Sequence, residues 1–103
     1  MTEKIRFSGP TIKVLKHLLE APKERRSGTS IAKTTGVSSG TLYPLLRRLE
    51  TAKWIEGEWE AIDPSKAGRP RSHLYKLTLA GQVAAQRFFL EFQPSILWRL
   101  TRI

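Results

Sequence analysis

The chain has no cysteine, and that absence removes disulfide frames, thiolate nucleophiles and Cys-ligated zinc or iron–sulfur centres. Histidine is nearly as scarce, with only His17 and His73 to offer an imidazole. No apolar run approaches the roughly 18 residues of a membrane span. The opening MTEKIRFSGP lacks the apolar core of a signal peptide, so a cytoplasmic location is expected. Acids are also in short supply: nine Asp plus Glu face 18 Lys plus Arg, a formal net charge of +9 over 103 residues. A surplus of that size commonly offsets a polyanion, with nucleic acid ahead of an anionic membrane face. The length allows one domain of ordinary size, and 40% hydrophobic residues fit a folded chain rather than a basic tail.

Helical periodicity organises the first half. Ser8-Gly9-Pro10 is a helix-start signal. Ile12, Val14, Leu15, Leu18 and Leu19 then share one arc, opposite Lys13, Lys16, His17 and Glu20, and Ala21-Pro22 closes the helix. On this reading His17 is a solvent-face residue. A short second helix is expected from about Gly28 to Thr35, capped by Ser27, with Ile31 and Ala32 inward and Gly36 supplying the left-handed turn. Ser38 is the expected cap of a third helix reaching about Ala52, whose Leu42, Leu45, Leu46 and Leu49 keep the i, i+3, i+4, i+7 spacing. Two helices joined by a tight turn around a glycine make a helix-turn-helix.

Beyond Ala52 the period drops to two. Ile55, Gly57, Trp59 and Ala61 alternate with Glu56, Glu58 and Glu60, which predicts a half-buried strand within Trp54 to Asp63. Asp63 to Ser72 reads as a loop, and His73 to Leu77 as a second strand with Tyr75 and Leu77 on one face. Thr78 caps a last helix expected to run to about Gln93, where Pro94 breaks it ahead of a short apolar tail. The fold class is mainly α with a small β-hairpin: a three-helix core plus two-stranded wing over residues 1–78, then a C-terminal helix and tail over 79–103.

The third helix carries the chemistry that points to function. With its leucines inward, it displays Gly40, Pro44 and Arg47, flanked by Thr41, Tyr43 and Arg48. Its first turn adds the Ser38 and Ser39 hydroxyls beside free backbone N–H groups, which suits a phosphate. Small residues let the helix end approach a groove floor, and arginines further along reach a guanine edge or the flanking backbone. Thr29 and Lys33 on the second helix extend that surface. Lys66, Arg69 and Arg71 crowd the hairpin tip, where Gly68-Arg69-Pro70 matches the core of the motif by which AT-hook peptides lay an arginine in a narrow minor groove. Glu56, Glu58 and Glu60 lack a histidine, cysteine or phosphate-loop partner and read as a solvated face, so no enzyme, cofactor or metal site is expected.

The stretch Ser39-Gly40-Thr41-Leu42-Tyr43-Pro44-Leu45-Leu46-Arg47-Arg48-Leu49-Glu50 resembles the signature of PadR-like transcriptional regulators. Arg69-Pro70-Arg71, then Leu74-Tyr75-Lys76-Leu77-Thr78 and Gly81, are similar to the wing and following helix start of that family. The resemblance implies a winged helix-turn-helix protein, bacterial or phage-encoded, usually a repressor that binds inverted-repeat operators in double-stranded DNA as a homodimer. It also implies DNA contacts for Ser39, Thr41, Tyr43, Pro44, Arg47, Arg69 and Arg71. Two positions depart from the pattern. Lys53 stands where the family usually has glycine and needs a strained φ or a different exit, and Lys23-Glu24-Arg25-Arg26 replaces the commoner Gly-Tyr pair. The same elements also suit a winged-helix module that docks its basic hairpin on an acidic protein. They suit an RNA binder less, because the aromatics are not laid out as a stacking sheet.

The C-terminal region holds more apolar surface than one small core absorbs. Phe88, Phe89 and Phe92 form one stripe of the last helix, and Leu97, Trp98 and Leu100 extend it into the tail; with Phe7 they make a two-fold interface the expectation, the alternative being a tail folded back onto its own core. Trp98 also offers a platform for a small planar aromatic effector of the kind some relatives hold between C-terminal helices.

Overall fold

The computed structural model describes residues 5–101, with side chains through Glu91. Helix α1 spans Gly9–Glu20; its cap Ser8 accepts the Thr11 N–H at 3.4 Å and Pro10 sits in the first turn, where no N–H is needed. Helix α2, Gly28–Thr35, begins with the Ser27 hydroxyl accepting from the Ser30 N–H at 3.1 Å and ends on Gly36 at φ 76°. Helix α3 covers Ser39–Thr51 and continues through Pro44. Ser38 precedes it in extended conformation, but its hydroxyl meets Thr41 Oγ1 at 3.3 Å instead of capping a backbone N–H.

The hairpin is shorter and better supported than its sequence pattern. Strand β2, Ile55–Trp59, pairs antiparallel with β3, His73–Leu77, from Ile55 opposite Leu77 to Trp59 opposite His73. A third strand, β1 (Arg26–Ser27), pairs with the other edge of β3, so the sheet order is β1-β3-β2 and the expected two-stranded wing has three strands at its base. Two residues are too few to leave a period in the sequence, and their pairing is set by the fold. The expected loop 63–72 contains one helical turn, α4 (Pro64–Ala67), capped by Asp63 and closed by Gly68 at φ 69°. Helix α5 runs Leu79–Thr101 and passes position 94 instead of ending there. A proline forfeits one backbone bond and crowds the preceding turn, which costs stability, yet helix on both sides can carry it.

The core is built where the helical arcs and the hairpin meet. Val14, Leu15 and Leu18 of α1, Ile31 of α2, four leucines of α3, and Ile55, Tyr75, Leu77 and Ala85 are buried together. Each fully buried leucine contributes about 1.5–3 kcal/mol, so the periodic leucines of α3 fix its roll angle. His17 departs from the solvent-face expectation: it is half-buried, its Nε2 is enclosed without a hydrogen-bond partner, and its carbonyl accepts from Arg26 at 2.9 Å. Burial and then the Arg26 charge push its pKa below the usual 6.5.

The exit from α3 is strapped to α5. Lys53 adopts φ 62°, the left-handed conformation expected where relatives carry glycine. The Lys53 carbonyl accepts the Thr78 hydroxyl at 2.6 Å, the Trp54 carbonyl accepts the Thr78 N–H at 3.0 Å, and Thr78 Oγ1 accepts the Gly81 N–H at 3.0 Å. The end of α3, the wing root and the last helix therefore meet in one hydrogen-bonded knot.

Candidate nucleic-acid interface

Burial of Leu42, Leu45, Leu46 and Leu49, each at most 2% exposed, turns the opposite arc of α3 outward. Ser38, Ser39, Gly40, Thr41, Pro44, Arg47 and Arg48 are all exposed, as are Thr29 and Lys33 on α2. A Cβ at position 40 would meet nothing within 4 Å. Gly40 therefore does not make room for the Pro44 ring; its effect is to leave the first turn of the helix bare. Tyr43 is 43% exposed, and its ring rests on Gly28, where an added Cβ would lie 2.7 Å from Tyr43 Cε1. Tyr43 thus sets how closely α2 and α3 approach while presenting part of its ring outward.

The wing cations are braced, not free arms. Arg69 forms a two-pronged ion pair with Glu60, at 2.6 and 2.9 Å, and Glu60 also accepts the Ser72 N–H at 3.2 Å. The Arg69 hydrogen bonds, followed by the Ser72 N–H, hold the Glu60 carboxyl down at about 2. Glu60 is therefore a clasp on the wing tip rather than one member of a solvated glutamate row. Arg71 donates from Nε to the Ile62 carbonyl at 3.0 Å, which leaves the rest of its guanidinium outward. Lys66 is exposed on α4. The acids nearer the wing root lie on the outer face of the sheet, Glu56 paired with Lys76 at 3.3 Å and Glu58 with Arg25. No spacing rule relates Glu60 to Arg69, because the loop conformation brings them together.

Of the residues expected at a subunit interface, Phe7 stacks on Phe88 within the chain, centroids 4.1 Å apart, and Phe88 meets Phe89 edge-on at 5.4 Å. Phe89 also packs against the core. The apolar side chains left outward on α5 are Leu79, Val83 and Leu90, at 77%, 45% and 67% exposed. The side chains of Phe92, Leu97, Trp98 and Leu100 lie outside the described residues. Among the described residues no group of three or more His, Asp or Glu could hold a metal, and no helix is long and apolar enough to cross a membrane.

The family model of transcriptional regulator PadR-like proteins matches residues 17–87, which takes in the helix-turn-helix, the whole wing and the start of α5. The chain belongs to that family. By its description that family is one of transcriptional regulators. Among curated proteins the chain finds no match. Among solved structures it is similar to a cysteine-to-serine mutant of MarR from E. coli, with TM-score 0.75 and 22% identity over 93% of this chain. It spans 65% of the length of that MarR chain. The same MarR mutant complexed with operator DNA superimposes with TM-score 0.72 at 22% identity, over 93% of this chain and 63% of that one. The smu.1704 protein of Streptococcus mutans UA159 matches over 97% of this chain and 95% of its own, with TM-score 0.69 and 21% identity. At these identities the likeness is one of fold, a winged helix-turn-helix.

Proposed function

We propose that this PadR-like regulator is a homodimeric repressor that reads an inverted-repeat operator. In this reading α3 enters the major groove, and the wing tip over residues 64–72 lies on the adjacent minor groove or backbone. The observation that carries it is the two-sided build of α3: every leucine is turned into the core, while hydroxyls, a bare glycine, Arg47 and Arg48 face outward beside a cationic wing. Ser39 and Thr41 bring hydroxyls and helix N–H groups to the backbone, and Arg47 is placed to reach a base edge. Arg69 and Arg71 serve the flanking groove. MarR of E. coli, similar in fold, has been solved on operator DNA. Repression follows from occupancy, since a bound dimer excludes other proteins from the same stretch of duplex.

The dimer would be built on residues 79–103. Leu79, Val83 and Leu90 supply an outward apolar stripe at helical spacing. A hollow of about 330 Å³ lined by Leu19, Gln86, Phe89 and Leu90 continues it toward α1. A two-fold axis would set the recognition helices about 34 Å apart, one turn of duplex.

Selection of bound fragments from random duplex, followed by anisotropy titration against salt, tests this reading. An inverted repeat should emerge, with log K falling on log[salt] at a slope of roughly −4 or steeper for the dimer. Arg47→Ala should cost about 1–3 kcal/mol and relax sequence choice, whereas Arg69→Ala should weaken binding chiefly on AT-rich flanks. Equal, salt-insensitive binding by wild type and both variants would refute the placement. Light scattering of the Leu79→Glu, Leu90→Glu double variant should give half the wild-type mass, and an unchanged mass would remove the stripe from the interface.

A further inference from the structure

Trp59 is 65% exposed although it occupies the inward register of β2, the face on which Ile55 is 2% exposed. A lone surface tryptophan means little, but this one is held in place. Its ring stacks on the cross-strand partner His73, with centroids 4.9 Å apart and 24° between planes, and His73 leans in turn on Tyr75 at 4.8 Å. The stack is also accommodated from behind. A Cβ at position 57 would lie 2.8 Å from His73 Nε2 and 2.9 Å from Glu50 Oε2, so Gly57 is what lets the imidazole lie between β2 and the last turn of α3. Charge is sorted across the same strand: Glu56 and Glu58 are paired on the opposite face. The Trp59 face is flanked by the last turn of α3, whose Glu50 reaches Gly57 beside His73, and by the wing tip, where Arg69 holds Glu60, the residue after Trp59.

We propose that Trp59, backed by His73, contacts the DNA backbone. Its indole N–H donates to a phosphate oxygen of the strand that crosses between the recognition helix and the wing tip, and its ring lies against the deoxyribose. Indole is a donor without an acceptor, matched to an anionic oxygen. Its apolar body with one polar edge suits the sugar–phosphate boundary. The inference rests on the reading of α3 and the wing as the DNA surface, and it adds a contact that carries no charge.

That last property supplies the test. The duplex selected by the wild-type protein is titrated at several salt concentrations with wild type, Trp59→Phe and Arg69→Ala. Trp59→Phe keeps a ring for His73 and removes the donor. It should weaken binding about tenfold, the effect of one hydrogen bond to a charged group, with an unchanged salt slope because a neutral donor displaces no counterion. Arg69→Ala should instead make the slope shallower by about 0.9 per protomer. Melting temperatures within a degree or so of one another show that the folds are intact. In a protein with Trp54 and Trp98 replaced by Phe, the duplex should shield the Trp59 emission from iodide. Wild-type affinity in Trp59→Phe overturns the proposal and leaves the DNA-binding reading standing. Failure of the wild type to bind any duplex overturns both.

Discussion

Gly81→Ala separates two opposed effects at the point where the wing root and α3 are tied to α5. Gly81 lies in the first turn of α5, and by intrinsic propensity alanine should stabilise that helix by up to about 1 kcal/mol. The structure predicts the opposite sign. An alanine Cβ would sit 2.6 Å from the Trp54 carbonyl carbon and 2.8 Å from its Cα, and closer still to the carbonyl oxygen. These are backbone atoms, so no side-chain rotation relieves the clash; α5 or the α3–β2 junction must move. Overpacking of this kind costs about 1–3 kcal/mol. The movement also strains the Thr78 N–H bond to that same carbonyl, 3.0 Å long, worth about 1 kcal/mol more. After the propensity gain, the net destabilisation is about 1–3 kcal/mol, or a fall of roughly 4–24 °C in melting temperature for a domain of this size. Thermal and urea unfolding followed by circular dichroism measure it. Operator affinity below the transition should fall as well, because the wing root shifts relative to α3. An alanine variant as stable as wild type, or more so, would refute the contact between Gly81 and Trp54 as the reason for glycine there.

Three other substitutions probe local chemistry. Lys53→Gly should stabilise the protein by about 0.5–1 kcal/mol in urea unfolding, because a left-handed lysine costs about 1–2 kcal/mol and glycine returns part of that as chain entropy. Because the Glu60 carboxyl is held at about 2 against an ordinary 4.5, the clasp on Arg69 contributes fully above pH 4.5 and is lost as pH falls through about 2. A side-chain NMR titration should find that low midpoint, and Arg69→Ala should raise it. His17 is depressed below 6.5 in the fold, so the unfolded chain takes up its proton first and stability should decline as pH drops below 6.5. With Arg26 opposing the proton and Glu20 and Glu24 partly compensating, His17→Leu should remove that decline, and an unchanged pH profile would contradict the buried placement.

Regular helices were legible because burial acts on them at one fixed period. Leu42, Leu45, Leu46 and Leu49 announce both the extent of α3 and the face it buries, and the outward set follows by subtraction. Serine caps located the starts of α1 and α2, and Ala21-Pro22 and Gly36 their ends, for the same local reason. Features set by distant parts of the chain left no such trace. The pairing of β1 with β3 spans almost fifty residues of chain and only two positions of ladder. His17 sits on the polar arc of α1, yet β1 and its Arg26 close over it. Pro94 shows the limit of punctuation rules, since a breaker only raises the cost of a helix and the rest of α5 decides. At the candidate site, the identity of the outward residues was readable but their engagement was not: Arg69 could be placed at the hairpin tip, but not its clasp by Glu60.

That clasp changes how the surplus of positive charge should be understood. Four ion pairs occur among the described residues, and all involve the sheet or the segments beside it: Arg25 with Glu58, Arg26 with Glu24, Arg69 with Glu60 and Lys76 with Glu56. The acids of these pairs thus neutralise the strands and brace the wing, while Arg47 and Arg48 of α3 are exposed and in none of the four. Exposed pairs of this kind add little stability, so their consequence lies elsewhere. A long cationic side chain normally gives up rotamer freedom when it docks on a phosphate. If the wing docks on DNA as proposed, Arg69, already held by a two-pronged contact, has given up much of that freedom beforehand, and an exchange from carboxylate to phosphate would preserve the same fork geometry. On the proposed reading the wing is then pre-organised with an internal stand-in for its target. The scarcity of acids and the arrangement of the wing would be one feature of the sequence, because a clasp needs one carboxylate and any further acid on a DNA-facing side would repel the duplex.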